Sequence, residues 1–108
     1  MHEFVLTLEK LHHETGVSAL DIAKGLLDEG IHPPTMYFPL IVHEALMVEP
    51  TETEGKDTID NVVAIFKKVY NEAVSNPEAM HEKPVKTVIR RPDEVRAARE
   101  PVLRYNFD

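Results

Sequence analysis

Four of the eight prolines in this 108-residue chain fall between Gly30 and Lys56, at positions 33, 34, 39 and 50. Proline locks φ and has no N–H, so neither a helix interior nor a central strand tolerates it. Regular structure must therefore stop before Pro33, fit between Pro39 and Pro50, and restart beyond Pro50. The stretch is a hinge between a strand-then-helix pattern on its left and a long amphipathic helix with a basic tail on its right.

To the left, Phe4, Leu6 and Leu8 alternate with Glu3, Val5 and Thr7, the period of a half-buried strand over residues 3–8. Residues 11–16 read as a polar connection with at most one helical turn. Ser18 and Asp21 form a capping box, in which each side chain satisfies the other residue's free N–H. Leu20, Ala23 and Leu27 then recur at helical spacing. Gly30 offers the left-handed stop and Ile31 the apolar residue after it, so a helix is predicted over 18–29.

Within the hinge, a short extended piece is expected at 36–38 and a strand at Ala45–Glu49. Thr51 and Glu54 repeat the capping-box spacing, with Thr53 an equally good cap. From Thr58, the positions Ile59, Val62, Val63, Phe66, Val69, Tyr70 and Ala73 make one wide apolar stripe, ended by Asn76-Pro77. Burying about six such side chains is worth on the order of 10 kcal/mol before chain entropy is subtracted. Beyond Pro77, prolines recur at 84, 92 and 101. A short extended piece at Val85–Ile89 and two helical turns over Asp93–Arg99, with Pro92 at the first helical position, are the only regular structure expected there.

These elements make one small mixed α/β (α+β) unit with two or three strands, helices on one face and the other face wanting a partner. The division expected is a domain at 1–76 and an extended tail at 77–108. Charge supports it: residues 1–76 hold 13 acids and 5 Lys/Arg, whereas residues 77–108 hold 6 and 7. The net charge of −7 argues against nucleic acid as the main partner. The chain has no cysteine, so disulfides and thiolate metal sites are excluded, which fits a cytoplasmic protein. No apolar run near Met1 suits a signal or a membrane span. A strand pattern beginning at residue 2 or 3 suggests a chain cut from something longer.

The chemistry legible in the residues is sparse. His12 and His13 are adjacent, so they point in different directions and read as solvated. His32, His43, Glu49, Glu52 and Glu54 match no metal-ligand spacing, and the acidic run is sufficiently explained as a helix start. There is no glycine-rich phosphate loop and no nucleophile motif. Lys24, Lys56, Lys67 and Lys68 sit on helix surfaces, without the desolvated setting a covalent cofactor lysine requires. From the residues alone the reading is a non-catalytic domain.

Two runs carry more. His32-Pro33-Pro34-Thr35-Met36-Tyr37-Phe38-Pro39-Leu40 and Glu44-Ala45-Leu46-Met47-Val48-Glu49-Pro50-Thr51-Glu52-Thr53-Glu54 resemble the C-terminal part of the glycine dehydrogenase (decarboxylating) family. This is the P-protein of the glycine cleavage system, and the resemblance is to subunit 2 of its two-subunit form. Residues 1–6, 19–24, 93–99 and 101–104 follow the same pattern in the same order. His43 stands where that pattern has proline, Pro92 where it has leucine, and Glu100 where it has a basic residue.

The resemblance implies the small C-terminal domain of a fold-type-I pyridoxal-phosphate enzyme, with a short, mostly antiparallel sheet, helices on one face and an extended tail. It implies decarboxylation of glycine and transfer of the aminomethyl group to the lipoyl H-protein, in an oligomer with subunit 1. It also implies that the lysine holding pyridoxal phosphate lies in a large domain upstream, so that this chain alone is inactive. His32 and Thr35, and more weakly Glu52 and Arg90, are the residues expected to line the cofactor cleft. The competing readings are that the loop only packs against the large domain, and that the chain is a free-standing interaction domain.

Overall fold

A computed structural model describes residues 2–107. The element order is β1 (Phe4–Thr7), α1 (Glu9–Thr15), α2 (Ala19–Asp28), β2 (Thr35–Met36), β3 (Ala45–Val48), α3 (Lys56–Ser75), α4 (Pro77–His81) and α5 (Glu94–Arg99). The three strands form one antiparallel sheet in the order β1-β3-β2. Phe4 lies opposite Val48 and Leu6 opposite Leu46, while Met36 flanks Leu46 from the other side. Alternation therefore places Phe4, Leu6, Met36, Leu46 and Val48 on one face. Leu46 and Met36 join the core from it, so this is the face the helices cover.

The first helix of this unit is longer than the sequence suggests. Residues 9–15 make two turns, because Leu11 is buried and anchors them, and Gly16 closes the helix in the left-handed region at φ 78°. Leu8, expected to end the strand, is instead the residue from which α1 starts.

α2 is central, and its boundaries follow the sequence. Ser18 Oγ accepts the Asp21 N–H at 3.2 Å and the Asp21 carboxylate accepts the Ser18 N–H at 2.9 Å. At the other end the Gly30 N–H reaches Leu27 O at 3.0 Å and the Ile31 N–H reaches Leu26 O at 3.0 Å, the two bonds of a Schellman stop. Ile22 and Leu26 form the core with Val17, Leu46, Val69, Ala73 and Met80.

α3 opens at Lys56 but without the expected side-chain cap. The Thr51 and Thr53 hydroxyls bond each other at 2.8 Å and cap nothing; Gly55 is the cap residue and supplies no side-chain bond. Residues 51–60 are all exposed, so water satisfies the first N–H groups. Only the C-terminal half of the helix docks, through Val69 and Ala73, with Ile65 and Phe66 partly buried beside them. Gly25 makes this approach possible: a Cβ there would stand 3.0 Å from Val69 Cγ1 and 2.9 Å from Met80 Cε.

Pro77 ends α3 and begins α4, where Asn76 Oδ1 accepts the Ala79 N–H at 3.4 Å. Met80 and Pro84 are fully buried. Residues 85–89 form no strand; the Val85 N–H is taken by the Asp28 carboxylate, and Val88 and Ile89 face solvent. In α5, Asp93 caps the helix by accepting the Arg96 N–H at 2.9 Å, so Pro92 lies before the cap rather than at the first helical position.

Candidate functional site

The proline-bound loop from His32 to Glu44 is held at both ends. Behind it, the Schellman stop fixes Ile31. In its middle the Tyr37 N–H bonds Ala45 O at 2.8 Å, while the Tyr37 hydroxyl accepts the Leu20 N–H at 3.3 Å. At its end the Glu44 carboxylate accepts the Ala19 N–H at 2.5 Å, and Thr7 Oγ1 donates to His43 O at 2.7 Å. Ser18, Tyr37 and Glu44 thus satisfy three N–H groups of the first turn of α2, and Glu44 places a negative charge at its positive end. Tyr37 and Glu44 reach these bonds with φ of 55° and 49°, a backbone strain that such a set of bonds can hold. Between the anchors the loop presents apolar side chains to solvent, with Leu40 84% and Ile41 89% exposed.

The antiparallel register orders the strand ends that flank the expected site residues. Thr35 is opposite Met47, so the residues before Thr35 run beside those after Met47. β2 therefore begins and β3 ends at the same end of the sheet, where β1 also begins, since Phe4 is opposite Val48; along the chain His32 precedes the start of β2 by three residues and Glu52 follows the end of β3 by four. His32, Thr35 and Glu52 are all exposed. The Arg90 guanidinium lies 3.9 Å from Glu82, and its neighbour Arg91 is fixed on Asp21. Asp21 is seven residues, about 10 Å of helix rise, from the end of α2 that leads to His32. Among the described residues, no hydrogen bond or ion pair joins any two of these four.

A stronger constellation lies on the opposite flank of α2, where the sequence showed only a helix cap. Asp21 and Asp28 are seven residues apart and share one helical face. The Asp28 carboxylate, wholly buried, accepts the N–H groups of Val85 and Lys86, each at 2.8 Å at its shortest. Asp21, 5% exposed, accepts Arg91 Nη2 at 2.7 Å and lies 3.2 Å from His81 Nδ1. Arg91 also donates to Lys83 O at 2.6 Å and Met80 O at 3.2 Å. Burial pushes the Asp21 carboxyl up, but the Ser18 N–H, the Arg91 guanidinium and the Ser18 hydroxyl outweigh it and hold the group below the usual carboxylate range. The two carboxylates strap residues 80–91 along α2. Two acids seven residues apart on one face of a helix, with Gly25 between them, were the signal available in the sequence.

None of this is a cofactor-binding set. Lys83 is only 13% exposed, and its Nζ is engaged by Glu72 Oε1 at 3.1 Å and by Asp28 Oδ2 at 3.8 Å. A covalent cofactor lysine needs an amine aimed into an open cleft, and this one is tied between two carboxylates of its own domain. The first turn of α2, otherwise suited to a phosphate, is occupied by Glu44 and Tyr37. Among the described residues no three His, Asp or Glu side chains converge as a metal site would require. An apolar groove of about 390 Å³ opens between β1 and α3, lined by Leu6, Leu8, Ile22, Leu46, Phe66 and Tyr70. A hollow of about 560 Å³ runs along α5 by Pro101 and Val102. Neither is lined by His32, Thr35, Glu52 or Arg90.

Residues 1–93 match the family described as glycine dehydrogenase, C-terminal domain. A probable glycine dehydrogenase (decarboxylating) subunit 2 of Treponema denticola is 70% identical over 105 residues, 97% of this chain and 22% of the relative. The protein of the same description from Thermosipho africanus is 63% identical over all 108 residues, again 22% of its length. That from Listeria welshimeri is 55% identical over 104 residues, 96% of this chain. The chain thus spans about a fifth of the length of the curated relatives it matches.

Proposed function

The chain belongs to the family of glycine dehydrogenase C-terminal domains, and from that premise we propose that it works as the last part of a longer subunit that decarboxylates glycine. The single observation that carries this reading is the agreement in sequence along nearly the whole chain with relatives described as subunit 2 of that enzyme. The product aminomethyl group passes to the lipoyl arm of the H-protein, and subunit 1 completes the enzyme in the cytoplasm. Pyridoxal phosphate, held by a lysine elsewhere in the subunit, supplies the electron sink that decarboxylation of an amino acid requires.

What this chain contributes is a wall and a hinge. The loop carrying His32 and Thr35 is held by hydrogen bonds at its base and apolar at its tip, which suits a wall of a cleft. His32 and Thr35 orient the substrate side of the cleft and keep water from it, with Glu52 at its rim. Arg90, beside the strap, belongs to a surface that faces the remainder of the enzyme. Of the tail, residues 77–108, the part beyond residue 91 lies on the large domain or subunit 1 through the exposed Val95, Val102, Leu103, Tyr105 and Phe107.

The test is turnover in the assembled two-subunit enzyme, followed by carbon dioxide release from labelled glycine. His32→Ala and Thr35→Ala each lower it by about tenfold or more, on the scale of a lost positioning contact, while the 108-residue chain carrying either change keeps its circular dichroism and melting temperature. If both leave turnover intact, the loop only packs. The isolated chain releases no carbon dioxide. A start codon and ribosome site directly at Met1, with no open frame upstream, would instead favour a free-standing interaction domain.

A further inference from the structure

β1 is an edge strand with nothing on its outer side among the described residues. Its hydrogen-bonding parity can be read from its neighbours. The Leu8 N–H bonds Glu44 O at 2.9 Å, and Leu6–Leu46 and Phe4–Val48 follow in the same register. In an antiparallel pair the bonded positions alternate, so Phe4, Leu6 and Leu8 face β3, and Val5 and Thr7 turn their N–H and C=O groups outward. Ala45 agrees: it is opposite Thr7, and its carbonyl is taken by Tyr37 from the β2 side. Edge strands of soluble proteins are normally blunted by proline, by lysine or by a covering element. Phe-Val-Leu-Thr has no such residue, and Phe4, Val5 and Leu6 are all exposed.

The space beside this edge is shaped for a strand. The apolar groove between β1 and α3 runs along Leu6, Leu8, Phe66 and Tyr70. The α3 stripe continues past the sheet through Ile59, Val63 and Tyr70, all of them exposed. A fourth strand paired with β1 would place every second side chain over that stripe.

We propose that β1 is an inner strand in the complete subunit, and that a strand from the chain N-terminal to residue 1 pairs with its Val5–Thr7 edge and closes the groove against α3. This rests on the reading of the chain as the C-terminal domain of a longer subunit. The occupant follows from the same reading: this chain covers 22% of the relatives' length and matches a domain described as C-terminal, so on that reading the remainder precedes β1. A preceding segment reaches the open edge through the shortest connection, with little loop-closure cost. A second copy would have to pair there at the expense of that covalent neighbour.

Amide exchange in the full-length subunit and in the 108-residue chain, resolved at Val5 and Thr7, tests this. Both amides exchange about tenfold or more slowly in the full-length subunit, because paired backbone groups open only with the sheet. Val5→Pro removes an N–H that β3 does not use. The substituted 108-residue chain stays folded, while the full-length variant loses the protection at Thr7. Should the substituted short chain not fold, the comparison of the unsubstituted proteins alone decides. Fast exchange at both amides in the full-length subunit overturns the proposal. So does protection in the short chain that rises with its concentration, which would assign the edge to a second copy. If no reading frame continues upstream of Met1, the proposed function itself falls, a result distinct from a full-length subunit whose β1 edge exchanges freely.

Discussion

Asp21 serves three partners at once. It closes the cap of α2 with Ser18, holds the Arg91 guanidinium and faces His81. Its carboxyl ionises below the usual range, because those bonds outweigh the opposing push of burial. A carboxyl whose folded pKa lies under its unfolded value of about 3.9 adds stability that is fully present above the unfolded pKa and is lost as pH falls through the folded one. Asp21→Asn should therefore flatten the acid limb of the stability curve below about pH 4. It should also cost about 2–3 kcal/mol at neutral pH, since it weakens a cap and leaves Arg91 without its partner charge. Urea unfolding of the chain between about pH 3 and 7 reads both effects. Equal slopes for the two proteins would show that Asp21 is only a cap.

Between elements, α2 meets α3 and α4 tightly at Gly25. Gly25→Ala gains about 1 kcal/mol in helix propensity, but its Cβ would meet Val69 Cγ1 at 3.0 Å and Met80 Cε at 2.9 Å. Met80 ends a flexible chain and can turn away; Val69 is branched, buried and fixed on its helix. Overpacking of about 1–3 kcal/mol should win, so thermal unfolding should show a net loss of about 1 kcal/mol. A gain in stability would mean that α3 can slide outward freely. What was legible beforehand follows the range of the forces involved. The α2 helix was readable to within one residue at each end, because Ser18, Asp21, Gly30 and Ile31 act within five positions of where they stand. The β3 strand was readable from its Pro50 boundary. The α1 helix rests on one buried residue, Leu11, too little for a period. The α4 helix and the strap depend on Asp21 and Asp28 bonding residues 57 to 70 positions away, and no local pattern announces such bonds. The residues proposed to line a cleft were named only through family resemblance; of the four, the sheet register involves Thr35 alone, opposite Met47, and Arg90 lies by Glu82.

For the whole molecule, the Cα radius of gyration is 15.9 Å, against about 13 Å for a compact domain of this length. The excess comes from the free half of α3 and from residues 92–107, which lie almost wholly in solvent. Residues 77–91 behave otherwise: they bury Met80 and Pro84 and neutralise two buried carboxylates. Two truncations separate these parts. A chain ending at residue 91 should melt within about 2 °C of the whole chain, since it loses exposed residues only and surface changes are worth under about 0.5 kcal/mol. A chain ending at residue 76 should not fold. The loss of Met80 alone is worth about 2–5 kcal/mol, and the deletion also removes Pro84, the donors to Asp28 and the Arg91 partner of Asp21. These losses are large against the roughly 5–15 kcal/mol that a whole domain has in hand. The same exposure predicts association. Ile59, Val63, Leu40, Ile41, Val102, Leu103 and Phe107 offer more apolar surface than an isolated monomer usually shows. Sedimentation velocity of the 108-residue chain should therefore reveal oligomers that grow with concentration, and the chain ending at residue 91 should show them less. A species that stays monomeric at high concentration would mean that these side chains need no partner, and the docking role of the tail would fall with them.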